Sequence, residues 1–299
     1  MDNRDSALTY QKFGIFDVFV IFICIILCAV TIYPFLYVLA YSLSNSVAAM
    51  THRITVFPVQ PTLENYYQIF RNNTIVTAYL VTIARTFFGI IYQLSITLLA
   101  AYAMAKGGDY PGKRAIFIFL VIPMFIGGGL IPNYVLITRL GLLDNFLVFI
   151  LPSGFSIFYC LIIRTYFYTI PDSLAESSRL DGAGELTIFM RIYLPLSRPI
   201  LATMAMFIGV GHWNAWFDAV LYISRQSLYP LATMLYRLMQ SFSISNLQLM
   251  SSYSSRERMI TAESIKMATV MASTLPIMCI YPFFQKHFIK GVMIGAIKE

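Results

Sequence analysis

Between Ile170 and Pro199 the chain carries Asp172, Glu176, Arg179, Asp181, Glu185, Arg191 and Arg198, bounded on both sides by apolar sequence. Nothing here pairs a nucleophile with a base or two carboxylates in a catalytic arrangement, so the chemistry on offer is ion pairing with another macromolecule. Three other patterns suggest chemistry and fall short. Gly107–Arg114 (GGDYPGKR) follows the phosphate-loop spacing G-x-x-x-x-G-K, but Arg114 stands where Ser or Thr would hold magnesium, and no soluble strand precedes it. His52, His212 and His287 are too far apart for a metal site. Cys24, Cys28, Cys160 and Cys279 all fall in apolar stretches without a His or carboxylate partner, and read as small buried hydrophobes. The expectation is no metal, no cofactor and no catalytic residue.

The elements that must position this charged stretch are hydrocarbon-soluble. The chain has 299 residues, 58% of them hydrophobic and 12% charged, against about 25% charged in a soluble domain. That balance excludes a soluble enzyme and suits one polytopic membrane domain. The net charge of +7 comes from basic residues scattered between apolar spans, as expected of membrane loops and not of a nucleic-acid-binding face. Six spans are expected: Val18–Ser42, Thr86–Ala105 with Arg85 at its outer end, Ala115–Ile137, Phe146–Ile163, Ile200–Phe217 and Met267–Phe284. An Arg within the membrane would be costly, so Arg85 either snorkels or faces a wet interior. The third is interrupted by Gly127, Gly128, Gly129 and Pro132. Freed backbone groups there must be covered by protein or line water, so its outer end is either part of a translocation path or a plain helix terminus. Asn45–Leu63 reads as an exposed loop and Asn65–Ala84 as an interfacial helix anchored by Tyr66 and Tyr67. Lys12, Lys106, Lys113, Lys286, Lys290 and Lys298 lie on the side of both termini, which makes that side cytoplasmic.

Within the charged stretch, Ser173-Leu-Ala-Glu176 fits a capping box with Ser173 as N-cap. The helix is expected to run to about Asp181 and stop at Gly182. Glu185–Tyr193 then forms a second helix, whose Leu186, Phe189, Met190 and Tyr193 share one apolar face and which Pro195 and Pro199 end.

Glu176-Ser177-Ser178, Gly182, Ile192 and Leu194-Pro195 reproduce the spacing EAA-x3-G-x9-I-x-LP. This resembles the cytoplasmic EAA loop of permease subunits in binding-protein-dependent ABC importers, with Ser177 and Ser178 replacing two alanines. The likeness extends to the second permease of the oligosaccharide class, the group of the maltose transporter. It rests on Tyr66 in LENYYQIF, on the stretch Gly128–Asn145, on His212-Trp213-Asn214 and on the ending Tyr281–Glu299. It points particularly to importers of polysaccharide fragments in Gram-positive bacteria.

The resemblance implies an all-α membrane protein of six transmembrane helices, with the EAA coupling loop between helices 4 and 5. It implies residues 1–73 as tail, first helix and outer loop, 74–285 as the importer core and 286–299 as a cytoplasmic tail. Glu176, Ser177, Ser178, Asp181, Gly182, Ile192, Leu194 and Pro195 would couple to an ATPase; Glu176 would pair with a basic group, Gly182 make the bend, and Leu194 and Pro195 lock the second helix. Gly291 and Gly295 would face the ATPases from the tail. The implied partners are a second homologous permease, two cytoplasmic ATPase subunits that hydrolyse the ATP, an extracellular solute-binding protein, the lipid bilayer and an oligosaccharide substrate, with no nucleic acid. The implied location is the bacterial cell membrane. Asn133, Tyr134, Trp213, Asn214 and Asp218 are candidates for the substrate path, because aromatic faces with amide and carboxylate groups suit sugar rings; for His212–Asp218 an interfacial aromatic belt is the other reading. The alternatives are a permease of the same fold for a peptide or phosphate, and a membrane enzyme or scaffold.

Overall fold

The computed structural model describes residues 14–46, 48–51, 54–71, 73–106, 108, 111–248, 263–280 and 282. They are almost entirely helical, and the one β feature among them is an isolated bridge between Ser44 and Pro61. The chain divides into two compact units, residues 1–67 with 249–271 and residues 68–248 with 272–299.

The first unit is built on α1 (Ile15–Ser42), whose residues before Leu36 are exposed and almost wholly apolar. A helix that is hydrophobic all round has no aqueous face, so α1 is made for lipid. Cys24 and Cys28 are therefore exposed on this helix, as Cys279 is on its own, and only Cys160 is the buried hydrophobe expected. The loop after α1 is not simply exposed. It folds back over the end of the helix, passing through the single turn α2 (Ala48–Thr51), and buries Ala49 and Ile54 against Ala40. Asn65, at the start of α3 (Glu64–Arg71), is the clasp: its amide nitrogen donates to the Ser42 and Ser44 carbonyls at 2.9 and 3.0 Å. Its oxygen accepts from Ser46. Terminal carbonyls of a buried helix end need donors, and one buried side chain supplies two.

The second unit is organised on α4 (Asn73–Lys106), a single helix that continues through the expected interfacial segment and carries Arg85 buried within it, not at an end. α5 (Lys113–Phe125) and α6 (Leu130–Arg139) follow, bent by 115° at the glycine triplet, with Gly129 at φ 81°. Only glycine takes that backbone without strain. The expected fourth span, Phe146–Ile163, is not one continuous helix. Asn145 caps a 3-10 turn, Phe146–Phe149; Pro152 and Gly154 interrupt a second one; and Ser156 caps α7 (Ile157–Phe167), which is only 11 residues long. After α8 (Ser173–Leu180) and α9 (Glu185–Ile188) comes a π-helical stretch, Phe189–Tyr193, and α10 (Leu194–Leu196). α11 (Arg198–Asn214) departs from these at 80°, followed by α12 (Phe217–Tyr222) and α13 (Leu231–Gln248); of a last helix over 263–280, residues from 272 on belong to this unit.

α7 and α11 pack on α4, and two apolar clusters form along α4. One gathers Ala101 and Tyr102 of α4, Cys160, Ile163 and Phe167 of α7, and Phe189 and Tyr193 of the charged stretch. The other gathers Val81, Ile137, Phe149, Ala219 and Ile223. Glycines let α4 and α11 approach closely. A methyl group on Gly89 would stand 2.4 Å from His212 Nε2, and one on Gly209 would stand 2.9 Å from Ile90 Cδ1. Two helices, α1 and α4, are long and apolar enough to cross a membrane; counting each bent pair, α5–α6 and Glu185–Leu196 with α11, as one span gives up to four among the described residues.

Candidate functional site

The charged stretch folds as the expected helical hairpin, with differences at each end. Asp172, not Ser173, is the N-cap of α8, and no capping-box side-chain bond forms. The Asp172 carboxylate is instead drawn to Lys106 Nζ at 2.6 Å, which also donates to the Ile170 carbonyl at 3.2 Å. An ammonium in reach outcompetes a backbone N–H for a carboxylate. The hydroxyls of Ser177 and Ser178 both donate to the Leu174 carbonyl, so two serines in place of alanines turn their polarity back onto their own helix. α8 ends at Asp181 as expected. Gly182 adopts φ 81°, its N–H donates to the Arg179 carbonyl and the next N–H to Ser178, closing the helix in the left-handed manner.

The hairpin is tied across its bend and to α4. Arg179 Nε meets Glu185 Oε1 at 2.9 Å, and the Tyr102 hydroxyl donates to Glu185 Oε2 at 2.8 Å. The Tyr102 ring lies 5.0 Å from Phe189 and 5.2 Å from Tyr193, with Phe167 closing the cluster. The expected apolar face therefore splits: Phe189 and Tyr193 are buried, whereas Leu186 and Met190 are exposed. Leu180 is 90% exposed and Leu186 67%, which leaves apolar side chains at the tip of the hairpin facing out. Pro195 does not end the second helix. The Leu194 N–H reaches back five residues to the Phe189 carbonyl, and this widened turn carries the chain through Pro195 to Ser197, where the bend into α11 falls. Glu176 and Asp181 are exposed; Ile192 and Leu194 pack against the Tyr102 cluster. Gly291 and Gly295 lie outside the described residues.

At the other end of the second unit a buried cation sets the geometry. Arg85 Nη2 meets Asp218 Oδ2 at 2.5 Å, its Nη1 donates to the Ala215 carbonyl at 3.0 Å, and its guanidinium lies 4.4 Å from the centre of the Phe149 ring. Arg85, Gln93, Phe149, Tyr159, His212, Asp218 and Tyr222 line a cavity of about 320 Å³. Arg85 Nε and His212 Nε2 are buried there without a hydrogen-bond partner among the described residues. Of the expected path residues, Asp218 alone lines this cavity. Tyr134 stacks on Tyr222 at 6.0 Å, at one remove. Trp213 points elsewhere, its indole N–H donating to the Ser273 carbonyl at 3.1 Å, and Asn133 and Asn214 are exposed. Arg85 follows the second of its two expected readings, facing an interior cavity, whereas sequence reading missed Gln93 and Tyr159 as cavity residues. The signal available was Arg85 itself, a cation inside an otherwise uncharged helix.

Next to the cavity, Asp144 ties two loops together. It takes φ 53°, its N–H donates to the Tyr222 carbonyl, and Oδ1 accepts the Ser224 and Arg225 N–H groups at 2.6 and 2.9 Å. These backbone donors, with the Arg225 charge, hold its carboxyl below the usual range.

Comparison with known proteins gives a consistent result. The family model described as binding-protein-dependent transport system inner membrane component matches residues 93–294. Protein LplC of Bacillus subtilis (strain 168) is 37% identical over 270 residues, covering 90% of this chain and 90% of its own length. The polygalacturonan/rhamnogalacturonan transport system permease protein YtcP of the same organism is 31% identical over 290 residues, covering 96% and 100%. In the crystal structure of a bacterial ABC transporter involved in the import of the acidic polysaccharide alginate, one chain superposes with a TM-score of 0.82 at 26% identity. That match covers 93% of this chain and 99% of the other.

Proposed function

This chain belongs to the family of binding-protein-dependent transport system inner membrane components, and from that premise we propose that it is the permease subunit of an ATP-driven importer that carries oligosaccharides or polysaccharide fragments into the cytoplasm. The carbohydrate assignment draws on relatives named for polygalacturonan/rhamnogalacturonan and alginate transport, which the chain matches along nearly its whole length. The reading includes a six-span chain with both termini in the cytoplasm of a bacterial cell, a second permease, two separate ATPase subunits and an extracellular solute-binding protein.

The observation that carries the mechanism is the hairpin of α8 and α9. It turns at Gly182, keeps Glu176 and Asp181 exposed with Leu180 and Leu186 beside them, and is fixed to α4 through Tyr102 and Lys106. An exposed apolar tip flanked by carboxylates suits insertion into a cleft of a soluble subunit, with Glu176 meeting a basic group there. Because α4 runs unbroken from this hinge to Arg85, a push on the hairpin moves the cavity end of the same rigid helix. ATPase motion thereby becomes opening and closing of the path, a rigid-body transition. The cavity beside Arg85, with its guanidinium, imidazole, amide and aromatic faces, suits a hydroxyl-rich or carboxylate-bearing sugar.

The test is ATP hydrolysis by the reconstituted complex, stimulated by the loaded binding protein, in wild type and Glu176→Ala across neutral and uronic oligosaccharides. Losing a buried interfacial charge pair costs about 2–5 kcal/mol, so stimulation should fall at least tenfold while the subunits still assemble. Wild-type coupling in the variant would remove the hinge from the mechanism. A response to no sugar, with uncoupling still caused by Glu176→Ala, would leave a permease of this fold for a different solute.

A further inference from the structure

We propose that the first turn of α5 and the last turn of α7 form a binding site for the phosphodiester headgroup of an anionic phospholipid. The site is a cavity of about 320 Å³ lined by Met104, Lys113, Arg114, Phe117 and Arg164. Three of these five residues are cations and none is acidic. Arg164 is held in place, its Nε donating to the Tyr168 hydroxyl at 3.0 Å and its guanidinium lying 4.8 Å from the Phe117 ring centre. Its remaining N–H groups form the fork that matches phosphate oxygens. Lys113 is the first residue of α5, its Nζ donating to the Gly108 carbonyl at 2.9 Å, so the positive end of that helix's dipole adds to the field.

The apolar surroundings decide between a lipid and a water-soluble anion. α5 has no buried residue: Ile116, Ile118, Phe119, Ile122 and Phe125 are all exposed along its length. An apolar rail that starts at a cationic cavity matches a phospholipid with its headgroup in the cavity and its acyl chains along the helix. A free phosphate would use the cations and leave the rail bare. Basic pockets between spanning helices at a membrane surface bind anionic headgroups for this reason. The near-miss of Gly107–Arg114 to a phosphate loop then has a physical reading: it supplies cations and a helix start for a phosphate, without the hydroxyl that a magnesium nucleotide requires.

The inference rests on the membrane reading of this chain but not on what it transports, and its test is independent of transport. The assembled importer is placed in nanodiscs of phosphatidylcholine, or of phosphatidylcholine with equimolar phosphatidylglycerol, and co-purifying lipid is read by native mass spectrometry without nucleotide or binding protein. Phosphatidylglycerol should be retained on wild type and fall about fivefold for each cation removed in Arg114→Gln and Arg164→Gln. Arg164→Lys, which keeps the charge, should recover much of the loss. Arg114 is exposed, so its variant reads the site even if Arg164→Gln fails to fold. Equal retention in all variants would overturn the proposal. So would inorganic phosphate or glycerol phosphate binding as well as the lipid in neutral nanodiscs, which would make this a soluble-anion site. Phosphatidylglycerol retained only when the ATPase subunits are stripped away would likewise overturn it, marking the patch as a protein contact.

Discussion

Two Arg–carboxylate pairs in the second unit have similar geometry and opposite surroundings. Arg85 and Asp218 meet at 2.5 Å with side chains 2% and 28% exposed; Arg179 and Glu185 meet at 2.9 Å with side chains 44% and 56% exposed. Around the first, the guanidinium is almost wholly buried, and Phe149 and the Ala215 carbonyl complete its coordination. Around the second, water competes for both partners. The comparison teaches that the contact distance does not set the role. A charge taken out of water must stay paired, so the Arg85 pair fixes how α4 meets α12. An exposed pair can open at little cost, which would suit the coupling hinge proposed for this hairpin.

The largest effect is expected from breaking the buried pair on one side. Asp218→Ala leaves the Arg85 charge uncompensated and should cost about 3–5 kcal/mol, read as a lowered melting temperature of the detergent-purified complex. The double variant Arg85→Met/Asp218→Leu should recover most of that loss; an Asp218→Ala variant that melts like wild type would mean the pair holds nothing together. Gly89→Ala comes next. Its methyl would meet His212 Nε2 at 2.4 Å, and overpacking of this kind costs about 1–3 kcal/mol. Adding His212→Ala should relieve the clash, whereas no relief would place the fault in α4 itself. Arg179→Ala should cost under about 1 kcal/mol in the same melting assay, yet lower the ATP hydrolysis stimulated by binding protein. A large melting shift with intact stimulation would reverse the two roles.

The hinge was more legible in sequence than the cavity, for a physical reason. A turn needs particular residues at particular positions, so Gly182 announced itself, and the spacing to Ile192 and Pro195 could be counted. The capping assignment failed because Lys106, far away in sequence, takes the Asp172 carboxylate, and no local pattern encodes that. Apolar length was a poor guide to helix continuity. Phe146–Ile163 has the composition of one, but Pro152, Gly154 and the Ser156 cap divide it. The cavity is assembled by α4, α7, α11 and α12 from residues that look ordinary singly, and Arg85 is the exception, because its cost in hydrocarbon already points it inward. Asn65 was unreadable for the same reason, since its partners are carbonyls and carry no residue identity.

Asp144 offers a third kind of carboxylate, paired with backbone N–H groups where the other two meet a guanidinium, and pH separates it from them. Its folded-state pKa lies below the ordinary 3.8 because Arg225 and Ser224 donate to the ionised form. The stabilisation is therefore fully present above the unfolded value and is lost as pH falls through the lower, folded one. Amide exchange at Ser224 and Arg225 should be slow at neutral pH, and protection should drop out once the carboxyl takes a proton. Asp144→Asn keeps an acceptor oxygen but cannot titrate. It should show weaker protection at neutral pH and no such acid step. If the step survived in that variant, the loop would be opening through some other acid, and Asp144 would be a bystander to the clasp.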